Sequence, residues 1–146
     1  MTNKNLLLNS IKEHEGFNGH MYFDSMGLET IGYGTLLPLT TFEAEQLLLG
    51  RLGNMIMELH NKIPLIKILP EQKQIILYEM AYQLGVNGLS KFKNMFDALD
   101  KGHYITASLE MLDSKWAKYD SPNRAKELAN KMMLSPENIS DFDTVN

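Results

Sequence analysis

Two carboxylates near the N-terminus are the first candidates for chemistry in this sequence of 146 residues. Glu15 shares one helical face with Leu7 and Ile11, because the three side chains recur at intervals of four. A carboxyl group that faces a core or cleft loses solvation, which favours the form that holds its proton. General acid catalysis needs such a proton. The alternative is a Glu side chain that reaches solvent at the end of the helix.

Asp24 is the second carboxylate, nine residues after Glu15. It begins the segment 24–27, which has Asp first and Gly last, as expected of a turn. Asp at this position commonly has a structural role, since its side chain accepts hydrogen bonds from the turn backbone. The placement of Asp24 relative to Glu15 indicates a function, because both carboxylates would lie where a helix meets a small sheet. Two carboxylates beside one cleft are the minimal set for glycoside hydrolysis.

The elements that must position these carboxylates are a short helix and a hairpin. Asn3 or Thr2 is expected to cap the helix, and Gly16 is expected to end it. Aromatic and β-branched residues predict two short strands at 20–23 and 30–33.

The rest of the sequence has a helical period. A capping box over 40–43 opens a long helix to about Asn61. Pro70 begins a helix that ends at Gly85. The other expected elements are helices at 89–99 and 107–116, a helix at 123–133 capped by Ser121 with Pro122 first, and a polar, frayed tail from Ser135.

Three separated motifs occur in a fixed order along this chain. The first is Glu15-Gly16-Phe17, Tyr22-Phe23-Asp24, Gly27 and Thr30-Ile31-Gly32-Tyr33-Gly34. The second is Tyr82-Gln83-Leu84-Gly85 with Gly88 and Phe92, and the third is Trp116 with Ser121-Pro122-Asn123-Arg124-Ala125-Lys126. Together they resemble the phage-type lysozymes, the endolysin group typified by the T-even phages, up to about Met133.

The resemblance implies an α+β fold with two lobes in one domain spanning 1–146. A small antiparallel sheet lobe would be joined by a long helix to a helical lobe. The expected bounds are about 14–38 for the sheet lobe, about 40–61 for the linking helix, and about 62–134 for the helical lobe, to which the N-terminal helix 3–15 is added.

The implied activity is that of a muramidase, which hydrolyses the β-1,4 bond between N-acetylmuramic acid and N-acetylglucosamine in bacterial peptidoglycan and lyses the host cell. By resemblance, Glu15 is the general acid, Asp24 positions or activates the water, and Thr30 orients it. The family is regarded as inverting, which fits carboxylates far enough apart to admit a water.

Four further residues match functional positions of the family. Gln83 would hydrogen-bond substrate, Tyr82 and Leu36 would form cleft walls, and Arg124 would pair with Glu15. The structural alternatives are an exposed Gln at a helix end, ordinary core positions for Tyr82 and Leu36, and a solvated surface Arg.

Several positions depart from the family pattern. Thr35 stands where relatives often have His, and Met95 and Glu110 replace two saccharide-binding residues. The connection from sheet to long helix, 36–40, is short. The net charge of −4 differs from that of relatives, which are typically basic. Weaker adhesion to the wall, or delivery by a larger assembly, is the expected consequence.

Composition excludes several classes of function. The acidic balance, 14 Lys and Arg against 18 Asp and Glu, disfavours binding to nucleic acid. The absence of Cys excludes thiolate metal sites and a Cys nucleophile. We expect no metal, because the four His residues lack pairing on a helix, and no cofactor. The His residues are His14, His20, His60 and His103.

No stretch is apolar enough to span a membrane, and no secretory signal is recognisable, so the chain is not expected to be embedded in a membrane. We expect a monomer that is made in the host cytoplasm, acts on the periplasmic wall, and depends on a separate membrane-permeabilising protein. Two alternatives are open. One is a lytic transglycosylase, and the other is a non-catalytic wall-binding or phage structural module with this fold.

Overall fold

A helix followed by a three-stranded antiparallel sheet begins the computed structural model, which describes residues 3–134. The helix is α1 (Lys4–Glu15), and the strands, in spatial order, are β1 (Asn18–Phe23), β2 (Glu29–Gly32) and β3 (Thr35–Leu36). The first two strands confirm the predicted hairpin. The third was not predicted, because two residues are too few to show an alternating pattern.

The ends of α1 follow local rules. The side-chain oxygen of Asn3 accepts hydrogen bonds from the backbone N–H groups of Asn5 and Leu6, at 3.1 and 3.2 Å. Gly16 ends the helix with φ of +70°, and its N–H donates to the Lys12 carbonyl at 3.0 Å. Both predicted caps are therefore confirmed, with Asn3 rather than Thr2 at the N-terminus.

The long helix α2 (Thr41–Lys62) begins with the predicted capping box. The Thr40 N–H donates to Glu43 Oε1 at 2.9 Å, and the Glu43 N–H donates to Thr40 Oγ1 at 3.1 Å. The bond that the Glu43 carboxylate accepts from the Thr40 N–H is the largest cause that lowers the pKa of this carboxyl group, because it stabilises the charged form. The chain divides into two compact units, Met1–Leu49 and Gly50–Asn146, so the boundary falls within α2.

The second unit is helical. Its elements are a short 3₁₀ helix (Pro64–Ile68), α3 (Glu71–Ser90), α4 (Lys93–Asp100), α5 (Tyr104–Leu112), a π-helical turn (Trp116–Asp120) and α6 (Pro122–Met133). Gly85 interrupts α3 with φ of +81° and ψ of 161°. The helix predicted at 89–99 begins later, at Lys93, and the one predicted at 107–116 occurs earlier, at 104–112. The predicted polar tail from Ser135 lies outside the described residues.

The core of the second unit is rich in methionine. Four methionines are fully buried among aliphatic side chains, in keeping with the flexible fit of Met in irregular cores. They are Met80, Met95, Met111 and Met132.

A buried cation lies at the edge of this core. Lys73 has no exposed surface, and its Nζ donates to the Met132 carbonyl at 2.7 Å, to the Lys131 carbonyl at 3.3 Å, and to the Leu134 carbonyl. Nζ also lies 4.5 Å from the centroid of the Tyr104 ring. Burial lowers the pKa of Lys73 to about 8. Lys73 therefore caps the C-terminal end of α6, which would otherwise leave its last carbonyls unpaired.

Within residues 3–134, no helix is both long enough and apolar enough to cross a membrane.

Candidate active site

The carboxylate of Glu15 lies at the C-terminal end of α1, against the turn that joins β2 to β3. A methyl group added to Gly34 in this turn would lie 2.6 Å from Glu15 Oε2 and 2.7 Å from its carboxyl carbon. Gly34 also has φ of +74°, a conformation that side chains rarely adopt. The close approach of Glu15 to the backbone therefore depends on glycine at position 34.

Two ring contacts connect the end of α1 to the same turn. Lys12 Nζ lies 5.3 Å from the centroid of the Tyr33 ring. The Phe17 and Tyr33 rings are 5.3 Å apart and tilted by 48°. These contacts lie on either side of Glu15 in sequence, so they fix the helix end that carries the carboxylate.

Asp24 forms the turn between β1 and β2 and keeps one oxygen for other partners. Its Oδ1 accepts hydrogen bonds from the N–H groups of Met26 and Leu28, both at 2.9 Å. Gly27 completes the turn with φ of +77°. Oδ2 makes no hydrogen bond to any other residue in the described part of the chain. The prediction that Asp24 stabilises the turn is thus confirmed for Oδ1. Oδ2 is available to a water.

Thr30 is the one buried residue among residues 3–49, with 2% of its surface exposed. Its Oγ1 donates to the Leu28 carbonyl at 2.9 Å, which leaves the oxygen lone pairs as acceptors. The same carbonyl accepts from the Asp24 N–H, also at 2.9 Å, while the Leu28 N–H donates to Asp24. The backbone of Leu28 therefore joins Asp24 to Thr30.

Leu36 lies directly opposite Thr30 on β3, and Tyr22 lies opposite Thr30 on β1. Residues opposite one another in an antiparallel sheet share a face, so the three side chains form one row. Leu36 is 54% exposed, so it does not occupy a core position, and its role as a cleft wall stays a prediction.

The remaining candidates belong to the second unit. Gln83 Oε1 accepts from Trp116 Nε1 at 2.9 Å, and Gln83 Nε2 donates to Ser121 Oγ. The structure thus joins two motifs that are separate in sequence. Ser121 precedes α6 as predicted, but its side chain makes no capping bond to that helix. Gln83 is exposed and keeps one N–H and one lone pair for a ligand.

Arg124, near the start of α6, forms an ion pair with Glu79 on α3. Arg124 Nη2 lies 2.9 Å and Nε lies 3.1 Å from Glu79 Oε1. Arg124 in the first turn of a helix indicates an anionic partner, but sequence reasoning missed that the partner is Glu79, because 45 residues separate the two. The pairing of Arg124 with Glu15 stays a prediction. Tyr82, also on α3, is about half exposed.

No group of three or more potential ligands that could hold a metal ion occurs among residues 3–134. The residues described above can instead supply a carboxyl group, acceptors for a water, and polar side chains for a ligand.

A model of the phage lysozyme family matches residues 12–131. This chain belongs to the phage lysozyme family. The match spans every candidate site residue, from Glu15 to Arg124, and confirms the resemblance to phage-type lysozymes. This phage lysozyme is therefore a glycosidase that hydrolyses peptidoglycan, on an α+β fold. No curated protein matches the sequence at a significant level.

Proposed function

We propose that this phage lysozyme is a muramidase that cleaves the β-1,4 bond between N-acetylmuramic acid and N-acetylglucosamine. The observation that supports the proposal is the arrangement in the first unit, where the Gly34 turn holds Glu15 and Leu28 joins Asp24 to Thr30. Glu15 is the general acid, and Asp24 and Thr30 handle the water.

In the proposed reaction, the Glu15 carboxyl group donates its proton to the glycosidic oxygen while the bond from that oxygen to the anomeric carbon breaks. A water adds to the anomeric carbon. Asp24 Oδ2 accepts a proton from this water, and Thr30 Oγ1 accepts its other hydrogen bond. Attack on the face opposite the leaving group inverts the anomeric configuration.

The second unit supplies the proposed binding residues. The exposed ring of Tyr82 and the side chain of Leu36 contact the saccharide. The Gln83 amide binds it through the N–H and the lone pair that Ser121 and Trp116 do not use. Arg124 is a proposed partner of Glu15. Its guanidinium has five N–H donors, of which Glu79 uses two.

In the infected bacterium, the proposed role is host lysis. The lysozyme is made in the cytoplasm as a monomer and acts on the periplasmic wall after a separate protein has permeabilised the membrane. We also propose that this chain belongs to the T-even group within the phage lysozyme family.

The test measures clearing of wall suspensions and identifies the released fragments by mass spectrometry. We expect the wild type to release hydrolysed reducing ends and Glu15→Gln to release none. Glu13→Gln is the matched control, since Glu13 is exposed on the same helix, and it should keep wild-type turnover.

Other outcomes would identify the alternatives. Anhydro sugar ends would establish a lytic transglycosylase, and binding to the wall without release by the wild type would establish a non-catalytic module. Turnover by Glu15→Gln would remove Glu15 as the acid. The anomeric form of the first product, read by NMR, tests inversion.

A further inference from the structure

The aromatic ring of Phe17 lies two residues after the proposed acid Glu15, and this residue is 70% exposed. A single exposed aromatic residue is common on protein surfaces and needs no special explanation. Phe17 differs because its ring is fixed in place and borders the candidate active site. A fixed, exposed apolar surface beside a site of chemistry is typical of a ligand contact.

The Phe17 ring is held from two sides within the first unit. Its tip lies against β1, where a side-chain carbon added to Gly19 would be 3.4 Å from Phe17 Cζ and 3.7 Å from Cε1. Its centroid is 5.3 Å from that of Tyr33, and the two rings are tilted by 48°. A side chain that is fixed before a ligand arrives loses little conformational entropy on binding, which favours affinity.

Phe17 and Tyr33 together form a surface that we name the aromatic platform. Tyr33 is 40% exposed, and Lys12 Nζ lies 5.3 Å from the centroid of its ring. The ammonium group therefore already occupies part of the Tyr33 surface. Tyr33 supports the platform, and Phe17 supplies most of its open area.

The platform borders the carboxylate of Glu15. Tyr33 contacts the Phe17 ring, and the next residue, Gly34, contacts Glu15, since a methyl group added to Gly34 would lie 2.6 Å from Glu15 Oε2. Consecutive Cα atoms are about 3.8 Å apart, so the ring and the carboxylate contact adjacent residues of one turn. A polymer that places one bond at Glu15 extends over the surface around it, which includes the platform.

We infer that the aromatic platform binds one sugar of the glycan strand, stacked on Phe17, next to the bond that Glu15 is proposed to cleave. The inference rests on the proposed function and adds a saccharide contact to it. In β-1,4-linked N-acetylhexosamines the ring substituents are mostly equatorial, so each face of the ring presents C–H groups. Such a face packs against a flat aromatic ring, while the polar groups at its rim stay in water.

Two other occupants fit this surface less well. Bacterial membranes carry anionic lipids, and a chain with a net charge of −4 approaches them unfavourably. A second copy of the chain on the platform would cover the carboxylate of Glu15 and exclude the substrate. A sugar matches the size of one ring and leaves the carboxylate accessible.

Calorimetry tests the inference with a hexasaccharide of alternating N-acetylglucosamine and N-acetylmuramic acid that carries no peptide. The parent protein is the full chain with Glu15→Gln, so that the strand stays intact, and mass spectrometry checks this. Phe17→Leu keeps an apolar side chain but removes the flat ring, whereas Phe17→Trp keeps a flat ring. Phe42→Leu is the matched control, because Phe42 is also 70% exposed and lies outside the platform. Thermal unfolding checks that each variant is folded.

We expect Phe17→Leu to bind the hexasaccharide at least about fivefold more weakly than the parent, while Phe17→Trp and Phe42→Leu keep its affinity. In NMR spectra, C–H protons of one sugar should shift upfield on binding to the parent and to Phe17→Trp, because they lie over an aromatic ring. This shift should be absent with Phe17→Leu. Added salt screens the carboxylates of the probe and should leave the ratio of the parent and Phe17→Leu affinities unchanged.

The inference is overturned if Phe17→Leu binds as tightly as the parent, or if Phe42→Leu weakens binding equally, which would indicate general apolar adhesion. It is also overturned if Phe17→Leu keeps the affinity for the hexasaccharide but dissociates a dimer seen by light scattering. The same holds if it only loses binding to vesicles of phosphatidylethanolamine and phosphatidylglycerol. Failure of the proposed function is read separately, from hydrolysis of peptidoglycan by the wild type and Glu15→Gln.

Discussion

The carboxylate of Glu15 lies directly against the backbone of Gly34, which follows it by nineteen residues in the sequence. An added methyl group at Gly34 would come within 2.6 Å of Glu15 Oε2, closer than non-bonded carbon and oxygen atoms approach. The turn between β2 and β3 therefore fixes where the proposed acid points. Gly34 acts as a positioning residue, through Glu15.

Gly34→Ala should lower turnover at least tenfold, because the new methyl group must displace the Glu15 carboxylate. The substitution also places a side chain at φ of +74°, which costs about 1 kcal/mol of folding free energy. Steady-state rates on peptidoglycan, measured beside thermal unfolding, check both effects.

Gly102→Ala is the control that separates strain from displacement. Gly102 has φ of +72°, but an added side-chain carbon would meet no atom within 4 Å. It should lose similar stability and keep its turnover. Equal loss of turnover in both variants would show that the contact with Glu15 does not matter.

Asp24→Asn should lower turnover at least a hundredfold without changing the melting temperature by more than about 2 °C. The Asn side-chain oxygen can accept the two turn hydrogen bonds that Asp24 Oδ1 accepts now, but its amide cannot take a proton from water.

Asp24→Ala should lose the same activity and also about 1 kcal/mol of stability, because it removes both turn bonds. Chemical denaturation of the two variants distinguishes the effects. If Asp24→Asn kept full turnover, Asp24 would be a turn residue alone.

The features predicted correctly from sequence are those made by neighbours in the chain. The Asn3 cap, the end of α1 at Gly16 and the reciprocal bonds of Thr40 with Glu43 each span four residues or fewer. Residue type alone specifies such interactions, since the partners meet in any chain that forms the turn.

The features that sequence reasoning missed depend on partners far apart in the chain. Gln83 is held by Trp116 and Ser121, 33 and 38 residues away. Lys73 appears in the sequence as an ordinary helix residue, although its amine binds carbonyls at the end of α6. No local pattern signals these contacts.

Arg124→Ala and Glu79→Gln should each cost at most about 1 kcal/mol of stability, because the side chains of this ion pair are 39% and 41% exposed, so that water screens their charges. A double-mutant cycle should give a coupling energy of about 0.5 kcal/mol.

The activity of these two variants tests the proposed pairing of Arg124 with Glu15. If Arg124 contacts Glu15, Arg124→Ala should shift the pH profile of turnover, whereas Glu79→Gln should leave it in place. Identical profiles for both variants and the wild type would contradict the pairing.

Lys73 should make the protein more stable as the pH rises from 7 to 9.5. Burial lowers the pKa of Lys73 to about 8 in the folded state, against 10.5 for the ordinary amine. Between these values the unfolded chain binds more protons than the folded chain, so the free energy of unfolding increases with pH. The expected gain over this range is about 2 kcal/mol.

Urea unfolding of the wild type and Lys73→Met at pH 7 and 9.5 measures this gain. The increase should be absent in Lys73→Met and present in Lys67→Met, whose amine is exposed. The range stops at 9.5 because tyrosine side chains of the unfolded chain ionise above that pH. Burial raises the pKa of Tyr78 in the folded state, so its titration would add a second, opposite dependence of stability on pH. A wild type with the same pH dependence as Lys73→Met would mean that Lys73 keeps its ordinary pKa, and that the carbonyls at the end of α6 offset the cost of burying its charge.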